Sequence, residues 1–230
     1  MYYSESAGIL ARMEPVLLVI FALIPPFAYS VYARAVNILP VRMLAALFFG
    51  SLGAVLTVSV VQSSLFQGAA GLYGISSILI SSFLEAGLLE ELVKLGVLAL
   101  VVNTGFGAPV PAQNVRVVFA GASVLALFFA GFETIVYAFG ASYSAIPVRF
   151  FTAYPVHVCS SVICSLALVR GVSVCVRGAA AASAAAFHGF FDFCLELSGF
   201  WLAVALATEI LLLISAVLVV VRFREREPQS

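Results

Sequence analysis

Apolar residues run along this chain in seven long stretches separated by short polar breaks, at 15–33, 43–62, 75–102, 116–139, 149–169, 178–196 and 199–221. A helix rises about 1.5 Å per residue and the hydrocarbon of a bilayer is about 30 Å thick, so about 20 such residues cross it. Transmembrane strands would alternate apolar and polar positions over about ten residues. Runs such as Leu211 to Val221 do not alternate. The pattern predicts an all-α fold, a polytopic transmembrane helix bundle of about seven spans. Residues 1–230 are expected to form a single integral membrane domain, because no stretch between the apolar runs is long enough for a second one.

Three runs depart from a plain span. The first contains Pro25 and Pro26 and is expected to kink or break there. The third would reach about 42 Å as a helix, so it must tilt, bend near Gly87, or begin as an interfacial piece, with residues 63–80 spanning or re-entering. The sixth is rich in alanine from Ala179 to Ala186, and small side chains let backbones approach closely, so it is expected inside the bundle.

Composition supports the membrane reading. Apolar residues make up 63% of the chain and charged ones 10%, with mean hydropathy +1.17, whereas a soluble domain carries about 25% charged residues. A soluble enzyme and a disordered chain are excluded. The 11 basic and 11 acidic residues balance without a basic face, which excludes nucleic acid as a partner and leaves the lipid bilayer. The four cysteines, Cys159, Cys164, Cys175 and Cys194, show no metal-binding or disulfide spacing, and no signal peptide is apparent at the N-terminus. With the N-terminus outside, Arg34, Arg42, Arg116, Arg170, Arg177, Arg222, Arg224 and Arg226 fall on the inner side and only Arg12 and Arg149 on the outer. The bias of arginine toward the cytoplasm thus predicts a multi-pass protein of the cell membrane, N-terminus outside and C-terminus cytoplasmic.

Glu90, Glu91, Lys94, Glu133, His157, His188 and Asp192 sit well inside the apolar runs and include the only lysine and both histidines of the chain. Five charged groups facing lipid would cost on the order of 15 kcal/mol, so they must face one another or a wet cavity. Lys94 lies four residues after Glu90 and three after Glu91, within reach of either, and His188 and Asp192 share a helix face at i, i+4. The expected topology puts most of these groups in the outer half of the membrane. The two glutamates reach that level only if the third helix starts near residue 80.

Glu90-Glu91 with Lys94 reads E-E-L-V-K, Phe132-Glu133 reads F-E, His157 follows, and His188 to Asp192 reads H-G-F-F-D. Over about residues 80–196 this order resembles the PrsW family of intramembrane proteases, which is related to the CAAX prenyl proteases and bacteriocin-processing enzymes. Lysine one position earlier than the arginine usual in the wider group favours PrsW. The resemblance implies cleavage of a membrane-anchored protein, of the anti-sigma-factor kind, at a site on the outer side.

Peptide hydrolysis needs a base for water and a group to hold the oxyanion. Glu90 or Glu91 is expected to be the base, the other pairing with Lys94. His157 and His188 with a carboxylate, Glu133, Glu91 or Asp192, can form a two-histidine zinc site; without metal they can donate to the oxyanion. Glu133 can instead act as a second carboxylate that tunes a partner, Asp192 can orient His188, Glu196 reads as a solvated cap, and Glu85 as interfacial. A CAAX-type prenyl-protein protease, a transporter or proton relay, and a non-catalytic scaffold are the competing readings. The topology is tested directly: a reporter fused at Ser230 is expected to be active in the cytoplasm, and activity only outside would reverse the orientation.

Overall fold

In a computed structural model the chain is described over residues 3–65, 74–104, 114–140 and 145–224. Seven helices and no strand occur among these residues. They are α1 (Tyr3–Ala35), α2 (Val41–Leu65), α3 (75–104), α4 (Val115–Gly140), α5 (Ala145–Cys164, prolonged by a 3-10 turn at Ser165–Leu168), α6 (Val174–Leu197) and α7 (Phe200–Arg224). Helix α3 has three continuous segments: α-helical Ile75–Leu79, π-helical Ile80–Glu90 and α-helical Glu91–Thr104. Helices α2, α4, α5, α6 and α7 each contain a stretch long and apolar enough to cross a bilayer, and α1 adds the apolar segment Val19–Ala35. The polytopic bundle expected from the apolar runs is therefore present.

Helix α4 is the axis. It packs against α1, α2, α3, α5 and α7, and 83% of its most apolar stretch is buried, against 33% for α6 and 22% for α7. The alanine-rich α6 is thus not the innermost helix, contrary to expectation. It buries Ala180, Ala184 and Ala185 and leaves Ala179, Ala182 and Ala186 exposed. Its small residues serve one close contact rather than burial all round.

Of the kink or break expected at Pro25–Pro26, the break is absent, since α1 is continuous through both prolines. Pro26 has no N–H to give the carbonyl of Ala22, one turn back. That carbonyl accepts instead from the Tyr154 hydroxyl of α5 at 2.6 Å, while the Pro26 carbonyl accepts from Ser30 Oγ at 2.7 Å. A neighbouring helix thus satisfies the carbonyl that Pro26 leaves open, as membrane helices permit.

The overlong third run is resolved by a change of helical pitch. Between Ile80 and Glu90 the backbone is π-helical, a form that is rare and tends to occur at functional sites. Gly87, near which a bend is expected, lies within this segment. The question of re-entry falls mostly on residues 66–73, outside those described, while Ile75–Leu79 simply continues into the π segment.

The π segment lies tightly on α6, its main partner. A Cβ on Gly87 would stand 2.4 Å from the Ala185 carbonyl, and one on Gly189 would stand 2.7 Å from the Ser82 carbonyl. Backbone meets backbone here, so neither glycine tolerates a side chain without displacing a helix. Gly87→Ala is expected to destabilise the protein by about 1–3 kcal/mol, the usual range for overpacking. Gly53→Ala, where a Cβ would meet nothing within 4 Å, is expected to be neutral or stabilising by about 0.5–1 kcal/mol. Thermal unfolding in detergent separates the two; equal effects would contradict the close contact.

Candidate active site

The π segment ends at Glu90, and the following turn carries Glu91 and Lys94, so the two adjacent glutamates leave α3 in different directions. Both are buried, yet their surroundings differ. Glu91 is saturated. Its Oε1 accepts from Lys94 Nζ at 2.5 Å, from Ser160 Oγ at 2.7 Å and from His188 Nδ1 at 2.9 Å. Its Oε2 accepts from Ser161 Oγ at 3.3 Å. Glu90 has the opposite character: its Oε2 is buried without any hydrogen-bond partner and it lines a cavity of about 710 Å³. Glu91 and Lys94 do not line that cavity; they lie beside a space of only about 10 Å³, room for one water at most.

His157 of α5 sits between two partners. Lys94 Nζ is 3.1 Å from its Nδ1, and its Nε2 is 2.8 Å from Glu133 Oε2 on α4. A lysine can only donate and a carboxylate only accept, so the hydrogen belongs on Nε2. The lone pair on Nδ1 also faces Glu90 Oε2 at 3.8 Å. His188 of α6 gives Nδ1–H to Glu91 and turns Nε2 toward Asp192 Oδ2 at 3.4 Å. The two imidazoles meet edge to face, with centroids 4.8 Å apart. Phe129 packs beside His157 and under the Lys94 ammonium, giving the cluster one apolar wall.

All seven residues named from the sequence therefore gather in one network, from Glu133 through His157, Lys94 and Glu91 to His188 and Asp192, with Glu90 alongside. Two details differ from expectation. Glu133 spends its carboxylate on His157 and on Arg149, whose Nη2 is 2.7 Å away. Among the described residues the three-donor group is Glu90, His157 and His188, whose ligand-type atoms lie within 4.8 Å of one another. Arg149, read as an outer loop charge, lines the cavity instead. Ser160 and Ser161 were missed altogether, because serine in an apolar run gives no signal until its partner is known. Glu85 and Glu196 also line the cavity, adding acidic groups to its wall.

The residues present fit a metal. Two imidazoles and one carboxylate are the donor set of a catalytic zinc. The orphaned Glu90 oxygen has a buried position with no other occupation, and each histidine anchors its other nitrogen on a carboxylate, the arrangement that orients metal-binding imidazoles.

The cavity opens at one end of the bundle, where the C-terminal parts of α2, α4 and α6 meet the N-terminal part of α5. Its lining there includes Gln62, Tyr137, Arg149 and Glu196. A model of the family described as PrsW family intramembrane metalloprotease matches residues 40–222, a stretch that holds every residue of this network. No curated protein and no solved structure matches the chain.

The ion pair gives a stability test. Lys94→Met leaves the Glu91 charge buried without its cation and is expected to cost about 3–5 kcal/mol. The double variant Glu91→Gln with Lys94→Met removes both charges and is expected to recover a large part of that loss. A double-mutant cycle on unfolding midpoints measures the coupling; additive losses would contradict the pairing.

Proposed function

This chain belongs to the PrsW family of intramembrane metalloproteases, and from that premise we propose that it hydrolyses a peptide bond of a membrane-anchored protein inside the cavity beside Glu90. The observation that carries the reading is the Glu90 carboxylate, which is buried, unpartnered at Oε2 and exposed to a cavity of about 710 Å³ together with both imidazoles.

The adjacent glutamates divide the work. Glu91, saturated by four donors, neutralises Lys94 and anchors His188. Glu90 holds the attacking water and takes its proton, a role typically worth a factor of about 10²–10⁴ in rate. The proton then passes to the leaving amine as the carbon–nitrogen bond breaks. His188, held between Glu91 and Asp192, and His157, held between Lys94 and Glu133, confine the water and the carbonyl oxygen from two sides. A zinc ion, when bound, would be held by Glu90, His157 and His188 and would supply Lewis acidity, polarising the carbonyl and easing deprotonation of water.

Transport is less well supported, because the space beside Glu91 and Lys94 is only about 10 Å³, too little for a solute. The substrate we propose is an anti-sigma-factor-like protein with a single span. The cavity mouth then lies at the outer surface with the N-terminus outside, in keeping with the arginine distribution along the sequence. A prenylated C-terminal tail is the alternative substrate.

The test is cleavage of single-span anti-sigma-like substrates by purified protein in proteoliposomes, with and without chelator. Glu90→Gln keeps the shape of the side chain and is expected to lower the rate by at least about 100-fold. Undiminished cleavage by that variant would remove Glu90 from the chemistry. Loss of cleavage with chelator and recovery with zinc identify the metal form; indifference to chelator identifies the glutamate form.

A further inference from the structure

Among the described residues Arg149 is the one arginine lining the cavity, and its charge is not free to meet a substrate. Its Nη2 lies 2.7 Å from Glu133 Oε2, its Nε donates to Thr134 Oγ1 at 3.4 Å, and its guanidinium lies over the Tyr137 ring at 4.1 Å. All three partners come from α4. The same Glu133 Oε2 accepts from His157 Nε2 at 2.8 Å, so arginine and imidazole share one oxygen.

That sharing has a geometric result. Arg149 and His157 are eight residues apart on α5, about 12 Å along the axis, and do not orient one another directly. Glu133 links them from the neighbouring helix. A carboxylate oxygen that only accepts obliges His157 Nε2 to carry the hydrogen. The lone pair is thereby left on Nδ1, which faces Lys94 Nζ at 3.1 Å and Glu90 Oε2 at 3.8 Å. Lys94, donating to Nδ1, favours the same tautomer from the other side of the ring; if Glu133 swung away, the Nε2–H would lose its acceptor and the ring one of its two anchors. Three contacts hold Arg149, and through it Glu133 is held against His157.

We propose that Arg149 is a positioning residue: by fixing the Glu133 carboxylate it anchors the Nε2–H of His157, while Lys94 holds Nδ1, and so keeps the ring turned with Nδ1 toward Glu90. The catalytic meaning of this rests on the protease reading above, but the ring geometry does not, and the two fail separately.

The chain has only two histidines, so protein labelled with ¹⁵N-histidine in lipid nanodiscs gives two ring spin systems, assigned with His157→Gln. In the unaltered protein His157 is expected to show one protonated nitrogen, Nε2, and one lone-pair nitrogen, Nδ1. In Arg149→Gln the His157 Nε2 nitrogen and its proton are expected to shift as the hydrogen bond to Glu133 loosens, while the resonances of His188, anchored on Glu91, stay in place. Glu133→Gln is expected to act in the same way. Arg149→Met, of similar length and uncharged, serves if the glutamine variant does not fold. An unchanged His157 pattern in the arginine variants would overturn the proposal. So would equal disturbance of both histidines, which would make Arg149 a general packing residue. Cleavage is assayed separately on the unaltered protein; its absence would count against the protease reading and leave the ring result standing.

Discussion

Taking a lysine and a glutamate out of water carries a penalty of several kcal/mol per ion, and only close pairing with further hydrogen bonds offsets it. Lys94 and Glu91 meet that condition. The carboxylate of Glu91 collects donors from its own helix, from the serine pair of α5 and from His188 of α6. Three helices that hydrophobic contact would hold only loosely in lipid are thereby tied at one height. The positions of both imidazoles follow from this knot, because Lys94 also touches His157 and Glu91 also holds His188. Remove the pair and the remaining polar groups have no common reference point.

Adjacent residues of a helix point to different sides, so Glu90 and Glu91 meet different surroundings. The boundary between the π segment and the α-helical remainder of α3 falls between Glu90 and Glu91. Side chains facing the cavity recur along the π segment at Ser81 and Ser82, at Glu85 and Ala86, and at Glu90, spacings of four to five residues that suit a wider helix. On the far side of the segment, Gly87 brings the backbone against α6. The unusual pitch and the unusual contact thus serve the same end: one carboxylate is aimed into the cavity while its neighbour stays in the packed interior.

Much of this was legible in the chain. Apart from the start of α1, which begins at Tyr3 rather than near residue 15, apolar run lengths gave the helices to within a few residues, because lipid imposes a minimum length that soluble proteins lack. Ionisable residues in such runs named the cluster, since few physical reasons exist to put Lys94, His157 or Asp192 there. What escaped notice depended on partners from distant helices. Whether Pro26 breaks a helix depends on Tyr154 reaching the Ala22 carbonyl, and no local rule contains that contact. The division between Glu90 and Glu91 depends on the serines of α5 and on His188 of α6, which reach Glu91 from distant parts of the chain. Arg149 sits near a helix end, where arginine ordinarily meets water, and only the nearness of Glu133 assigns it to the site.

Lys94 is the sole lysine of the chain and is 1% exposed. The folded protein therefore presents no side-chain amine to an acylating reagent. Any modification at this position reports that the three helices have come apart, which makes amine chemistry a direct gauge of whether the bundle is intact.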